Sequence, residues 1–235
     1  MRILALDTST EWCSVAAGDG SRWHMRDEHA GQAHSGRILP LVRAVLAEAG
    51  IALAQLDGIA FGAGPGSFTG IRIGCGVAQG LALGANLPVI AIPSLEALAQ
   101  EARRVHGWNV VVPCLDARMR EVYAAVYRFG EAPDGGRWRV VLAPTVLPPS
   151  TLRLPAGHDD ACGAGNAYAA YPSLGAGLGL AAVDATLRPT AQSIGDLALP
   201  RLAAGEAVDA AHALPLYVRH RVALTTAERD AGARL

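Results

Sequence analysis

The chain has 235 residues, of which 51% are hydrophobic and 17% are charged. These proportions are typical of a well-packed globular protein and exclude an intrinsically disordered one. The formal net charge of −1 argues against a broad basic surface for nucleic acid. All 20 basic residues are arginine, which excludes the phosphate-binding and nucleophilic chemistry of lysine.

The cysteines favour a reducing compartment, and the apolar segments do not favour a membrane span. No two cysteines are near neighbours, so no CxxC pair is available for zinc or redox chemistry. They are Cys13, Cys75, Cys114 and Cys162. The first ten residues lack a secretory signal, and polar residues interrupt the apolar segment 71–93. We therefore expect a cytoplasmic protein without membrane contact.

Hydrophobic periodicity in the first half predicts three strands, then helix, strand, helix, strand, helix. The predicted strands are 2–7, 13–20, 22–29, 56–64 and 88–93. The predicted helices are 35–49, about 70–84 and 94–105. Ser35 and Ser94 stand where N-caps are expected, and Gly50 suits the left-handed end of the first helix.

The second half begins with the pattern of the first, which suggests an internal duplication. Asp7 ends one predicted strand and Cys13 opens the next, and Asp116 and Val122 repeat this spacing of six residues. Coincidence is the alternative explanation.

Beyond Pro144 the pattern weakens to a short strand near residue 163, another at 179–185 and a helix at 192–205. We predict two α/β halves of βββαβαβα type, 1–107 and 108–218, with the second degenerate. A flexible tail is expected at 219–235.

A glycine-rich loop precedes the second predicted helix. It contains Gly64, Gly66, Ser67, Thr69 and Gly70. The loop matches neither the P-loop, which needs a lysine, nor the GxGxxG dinucleotide motif. Two interpretations remain open: an anion-favouring helix N-terminus, or a tight turn whose glycines allow close packing.

The helix after this loop contains glycines four residues apart. Gly76, Gly80 and Gly84 fall on one stripe, and interior glycines of this kind destabilise a helix unless something compensates. We expect close approach of another helix, either the one at 35–49 or one from a second chain.

Two aspartates end strands at tight turns in the two halves. Asp7 and Asp116 are consistent with facing phosphate hairpins around a metal–nucleotide, or with simple capping of backbone amides. The further residues of such a site would be Thr8, Ser9, Thr10, Gly163 and Gly165.

Four segments resemble the TsaB family, formerly called YeaZ, over nearly the whole chain. They are LALDTSTEWCSVAAGDG (4–20), GAGPGSFTGIRIGCGVAQGLA (62–82), VPCLDARMREVYAAVY (112–127) and PLYVRHRVA (215–223). The resemblance implies the duplicated α/β fold of the actin/Hsp70/hexokinase-like (ASKHA) superfamily. It also implies a non-catalytic subunit that works with TsaD and the ATPase TsaE. Together they form N6-threonylcarbamoyladenosine at adenosine 37 of tRNAs that read ANN codons.

The resemblance also implies which site residues are missing. Ser94 and Leu98 stand where TsaD has its two metal-binding histidines, so we expect no metal site and no catalytic residues. We expect no tightly bound cofactor, at most weak ATP or ADP with magnesium at the interface of the complex. tRNA contact is expected only within the complex.

The face of this chain that is expected to dock on TsaD would also form a homodimer when TsaD is absent. Its predicted residues are Leu39, Val42, Leu46, Arg72, Gly76, Gly80 and Gly84.

Other functions stay open on the residues alone. An actin-like kinase or ATPase would use Asp7, Asp116 and an adenosine loop at 163–165. A metalloprotease would need an HExxH or HxxxH pair, and neither is present. A basic patch for tRNA would draw on Arg118, Arg120, Arg137 and Arg139, which are as easily a solvated edge.

Overall fold

The computed structural model describes residues 1–130 and 136–219, which form two five-stranded sheets. The first sheet contains β1 (Ile3–Asp7), β2 (Trp12–Gly18), β3 (Trp23–His29), β4 (Gly58–Gly64) and β5 (Val89–Pro93). The second contains β6 (Val110–Asp116), β7 (Val122–Gly130), β8 (Arg137–Leu147), β9 (Cys162–Ala164) and β10 (Ala182–Asp184). The predicted tail lies outside the described residues, apart from Arg219.

Helices connect and cover the two sheets. They are α1 (His34–Ala49), α2 (Phe68–Ala85), α3 (Ser94–His106), α4 (Ala167–Ala170), α5 (Ser173–Leu178) and α6 (Ala191–Ala203).

The two sheets have the same topology. The strand orders are β3-β2-β1-β4-β5 and β8-β7-β6-β9-β10. In each, three antiparallel strands come first, and the first strand then pairs in parallel with the fourth. This repeat confirms the predicted duplicated α/β fold. The second half is reduced, because only a 3-10 turn at Pro149–Thr151 lies between β8 and β9, where the first half has α1.

Alternation of side chains along β1 gives the first sheet two buried faces. Leu4 and Leu6 pack in the core beneath α1 and α2, whereas Ile3 and Ala5 pack in the core that contains α6. The helix α3 packs instead on the second sheet. The helix α3 of the first half therefore packs on the second sheet, and the helix α6 of the second half packs on the first sheet. Because the two halves exchange helices in this way, the domain boundary that the sequence predicts after residue 107 stays a prediction.

Two of the predicted helix caps are wrong. The first helix begins one residue earlier than predicted, with Ala33 at the N-cap and no side-chain cap. Ser94 is the first residue of α3, and its Oγ accepts a hydrogen bond from the Gly64 amide at 3.0 Å. Its hydroxyl therefore joins two elements and does not cap its own helix. Gly50 ends α1 in the left-handed region, as predicted.

A buried carboxylate joins the two exchanged helices. Glu101 of α3 accepts hydrogen bonds from Thr190 Oγ1 at 2.8 Å and Ser193 Oγ at 2.6 Å, at the start of α6. Burial raises the pKa of Glu101, but hydrogen bonds from Arg104, Ser193 and Thr190 outweigh it and hold the pKa below its usual value. The carboxylate is thus ionised and fully used in bonding.

We expect Glu101→Gln to lower the free energy of unfolding by about 2–3 kcal/mol, because an amide nitrogen replaces one acceptor and leaves buried hydroxyls unpaired. Urea unfolding followed by circular dichroism measures the change. Glu48→Gln, at an exposed ion pair with Arg26, is the matched control and should leave the unfolding midpoint nearly unchanged. An equal loss in both variants would contradict the role assigned to Glu101.

Candidate functional site

A cleft of about 790 Å³ lies where the two halves meet. The β1–β2 turn and the glycine loop form one wall, and the end of β6 with Asn166 forms the other. Residues 216–219 cross between these walls. Of the predicted site residues, those that line the cleft are Ser9, Thr10, Gly66, Ser67, Thr69, Arg72 and Asp116.

The glycine loop packs directly on the β1–β2 turn. The Ser67 amide donates to Ser9 O at 2.7 Å, and Thr8 Oγ1 donates to Gly70 O at 2.7 Å. A Cβ at Gly66 would lie 2.3 Å from Ser9 O, and one at Gly70 would lie 1.9 Å from Thr8 O. Backbone contacts this close admit only glycine. Intramolecular packing therefore accounts for both glycines, which favours the tight-turn interpretation.

The glycines farther along α2 face open space. A Cβ at Gly74 would meet Thr8 Oγ1 at 2.6 Å, whereas Gly76, Gly80 and Gly84 have nothing within 4 Å. Leu83, beside this stripe, is 77% exposed. The helix thus has one glycine-lined side packed on the turn and another that faces outward.

The predicted docking residues on α1 differ in accessibility. Leu39 is 41% exposed and Leu46 is half-buried against the core. Val42 is only 3% exposed, so its side chain packs in the core and does not reach the surface of this chain.

Asp7 lies beneath the turn and is 1% exposed. Its Oδ1 accepts hydrogen bonds from the Ser9 amide at 3.0 Å and Ser9 Oγ at 2.9 Å. Its Oδ2 has no hydrogen-bond partner among the described residues and lies against Gly62. Burial raises the pKa of this carboxyl to about 7, although the bonds from Ser9 oppose the shift. Asp7 does not line the cleft.

Asp116 stands at the cleft, at the end of β6. Its Oδ1 accepts from the Arg118 amide at 3.0 Å, and its own amide donates to Asn166 Oδ1 at 2.9 Å. The turn that follows is strained, since Arg118, Met119 and Arg120 all have φ between 53° and 61°. The two aspartates are therefore not equivalent: one is buried under its turn and one is a turn cap at the surface of the cleft.

The two predicted adenosine-loop glycines are buried by packing. Gly163 lies in β9, where a Cβ would meet the Tyr168 ring at 2.6 Å. Gly165 has φ +114°, and a Cβ there would lie 2.3 Å from Cys114 O. Neither residue lines the cleft. A nucleotide role for them stays a prediction.

The four arginines suggested as a tRNA patch separate into two pairs. Arg118 and Arg120 precede the start of β7 at Val122, whereas the strand register places Arg137 and Arg139 beside Gly130 and Arg128 at its other end. Six residues of strand separate the two pairs by about 20 Å. They do not form one patch.

Sequence reasoning missed the segment that crosses the cleft. The Leu216 amide donates to Ala63 O at 2.8 Å, and Tyr217 Oη accepts from Arg72 Nε at 2.8 Å. Arg219 donates to Ala117 O at 3.0 Å and to Glu121 Oε2 at 2.6 Å. The segment thus joins the first half to the second. Its motif was visible as PLYVRHRVA, but nothing in that pattern indicates a contact 145 residues away.

Within residues 1–130 and 136–219, no three His, Cys, Asp or Glu side chains gather closely enough to hold a metal ion. Leu98 is fully buried in the core, and Ser94 Oγ accepts a hydrogen bond from the Gly64 amide. Over the same ranges, no helix combines the length and apolar character needed to cross a membrane.

We expect the two groups of α2 glycines to respond oppositely to alanine. Gly70→Ala should lower the free energy of unfolding by about 2–4 kcal/mol, because the new methyl group collides with Thr8 O. Gly80→Ala should raise it by about 0.5–1 kcal/mol, because the site is open and alanine favours the helix. Thermal and urea unfolding of both variants measure this; changes of the same sign would contradict the two-sided description of α2.

Asp7 should make the stability depend on pH. Its pKa is raised to about 7 in the folded state, so folding favours the protonated carboxyl, and stability falls as the pH rises from about 4 to about 7. Relative to Asp7→Asn, the wild-type chain should lose about 4 kcal/mol over this interval and remain level above it. Urea midpoints at a series of pH values test this, with Asp209→Asn, at an exposed side chain, as the control. Parallel pH curves for the wild-type and Asp7→Asn proteins would refute the assignment.

Known proteins resemble this chain over most of its length. The tRNA threonylcarbamoyladenosine biosynthesis protein TsaB of Escherichia coli (strain K12) is 41% identical over 226 residues, covering 95% of this chain and 96% of the relative. TsaB of Haemophilus influenzae is 41% identical over 227 residues, covering 94% and 95%. A solved structure described as YeaZ from Pseudomonas aeruginosa is 41% identical, covers 92% of this chain and 99% of its own, and superposes with a TM-score of 0.82.

A family model described as "TsaD: tRNA N6-adenosine threonylcarbamoyltransferase" matches residues 26–135, which include α1, α2 and α3. Identity of 41% over nearly the full length of two relatives confirms the predicted family. The chain belongs to the TsaB family.

Proposed function

We propose that this chain is a non-catalytic subunit in the formation of N6-threonylcarbamoyladenosine at adenosine 37 of tRNA. It acts in the cytoplasm by docking on the transferase TsaD, with TsaE as the ATPase of the system. Its membership of the TsaB family supports the pathway. One structural observation supports the docking role: the outward stripe of α2 is built from Gly76, Gly80 and Gly84, with open space above each.

A stripe of this kind is suited to helix packing. Small residues four apart form a shallow groove into which the ridge of another helix fits, and the two axes approach closely. Leu83 adds exposed apolar area beside it, which would be buried on association. The same face of two copies would pair around a two-fold axis, which gives the homodimer expected when TsaD is missing.

The residues of this chain support an accessory role. Leu98 has no atom that can bind a metal, and Ser94 Oγ already binds the Gly64 amide. Asp7 is buried with a raised pKa, away from the cleft. In the proposed complex, weak ATP or ADP with magnesium binds only at the interface with TsaD, and tRNA is contacted only in the assembled state.

Gly80→Leu is expected to weaken binding to TsaD and homodimerisation at least tenfold, because the side chain fills the groove. The monomer should remain folded, since nothing lies within 4 Å of that position. Sedimentation with and without TsaD from the same organism measures both, and tRNA modification with each component omitted in turn measures function.

Gly177→Leu is the matched control, an exposed helical glycine with open space on α5. Equal sedimentation of the Gly80→Leu and wild-type proteins, with and without TsaD, would rule out the docking face. Turnover of magnesium ATP by the isolated chain would instead support the kinase or ATPase alternative.

A further inference from the structure

Two aromatic side chains hold the guanidinium of Arg72 in place. Its Cζ lies 3.7 Å from the centroid of the Phe68 ring, and its Nε donates to Tyr217 Oη at 2.8 Å. The two rings are themselves neighbours, with centroids 6.1 Å apart. Stacking and the hydrogen bond together restrict the rotamers of a side chain that is otherwise flexible.

This positioned charge has no anionic partner in the described part of the chain. None of the ion pairs within residues 1–130 and 136–219 includes Arg72. Its hydrogen bond to Tyr217 uses Nε, and over the same ranges neither Nη atom makes a hydrogen bond. The fork of a guanidinium matches a carboxylate in a bidentate geometry.

The position of Arg72 connects it to the outward face of α2. Phe68, Arg72, Gly76, Gly80 and Gly84 follow one another at intervals of four residues, so they form one continuous row along the helix. Phe68 is 48% exposed and Tyr217 is 46% exposed at the end of that row, where both rings and Arg72 also line the cleft. Exposed aromatic side chains around an arginine are typical of the central contacts of protein–protein interfaces.

We propose that Arg72 binds a carboxylate, from an Asp or Glu side chain of the protein that docks along the α2 row, and that Tyr217 is a positioning residue for this contact. The inference rests on the proposed docking to TsaD. A protein carboxylate is favoured over an RNA phosphate because a single arginine between aromatic rings provides little cationic surface. The other arginines nearby do not enlarge it, since Arg118 pairs with Asp116 and Arg219 pairs with Glu121.

The test measures the affinity of the full chain for TsaD of the same organism by calorimetry at several salt concentrations. Arg72→Gln should weaken binding by about 10–100-fold at low salt and flatten the salt dependence, because one interfacial ion pair is lost. Tyr217→Phe should weaken it by about 3–10-fold, since it removes only the hydrogen bond that orients the guanidinium. Arg22→Gln, at an exposed arginine in the β2–β3 turn, is the matched control and should change nothing.

The outcomes separate the inference from the proposed function. If wild-type chain binds TsaD and both Arg72→Gln and Tyr217→Phe bind with unchanged affinity and salt dependence, the carboxylate contact is wrong while docking stands. If wild-type chain does not bind, the proposed function itself fails. A fluorescent tRNA transcript provides the remaining arm: loss of tRNA binding in Arg72→Gln, with TsaD affinity unchanged, would overturn the inference in favour of a phosphate.

Discussion

The packing of α2 on the β1–β2 turn is the contact on which the rest of the molecule depends. The Thr8 hydroxyl donates to Gly70 O, the Ser67 amide donates to Ser9 O, and the space between the two segments is too small for a Cβ. The first bond gives the buried Thr8 hydroxyl an acceptor, and the second pairs the buried Ser9 carbonyl with the amide that precedes the helix. They also fix the rotation of α2 about its axis. Once that rotation is fixed, the glycine stripe at Gly76, Gly80 and Gly84 must face outward.

Much of the architecture could be predicted from the sequence because it is periodic and local. The spacing of Asp7 and Cys13, repeated at Asp116 and Val122, predicted the duplication, and the two strand orders confirm it. Helix positions followed from apolar spacing. The predicted cap at Ser94 failed because Ser94 is the first residue of α3 and its hydroxyl binds Gly64, thirty residues earlier. Propensity cannot register such a competitor.

The candidate site was less predictable, for the same reason. The sequence predicted Asp7 as a strand-ending aspartate at a tight turn. Its pKa and accessibility are instead decided by burial against Gly62 and by the hydrogen bonds from Ser9, and both depend on the packed sheet. Val42 has the helical spacing of an interface residue and of a core residue alike, and the sheet beneath decides for the core. The proposed role of Tyr217 depends on a contact with Arg72 that no periodicity encodes. The sequence therefore predicts where the helices and strands lie, whereas the partners and burial of individual side chains depend on tertiary packing.

The connection between the two halves makes the molecule rigid enough for the proposed docking role. α3 lies on the second sheet and α6 packs with the first, and Glu101 joins them through buried hydrogen bonds. Residues 216–219 add a second connection across the cleft, from Ala63 to Ala117. Opening of the halves would break both sets of bonds and leave buried polar groups unpaired. A body held in this way keeps the outward face of α2 and the guanidinium of Arg72 in a fixed relation before any partner arrives. The proposed association would then lose less conformational entropy, which favours specific binding by a modest surface of small side chains and one positioned charge.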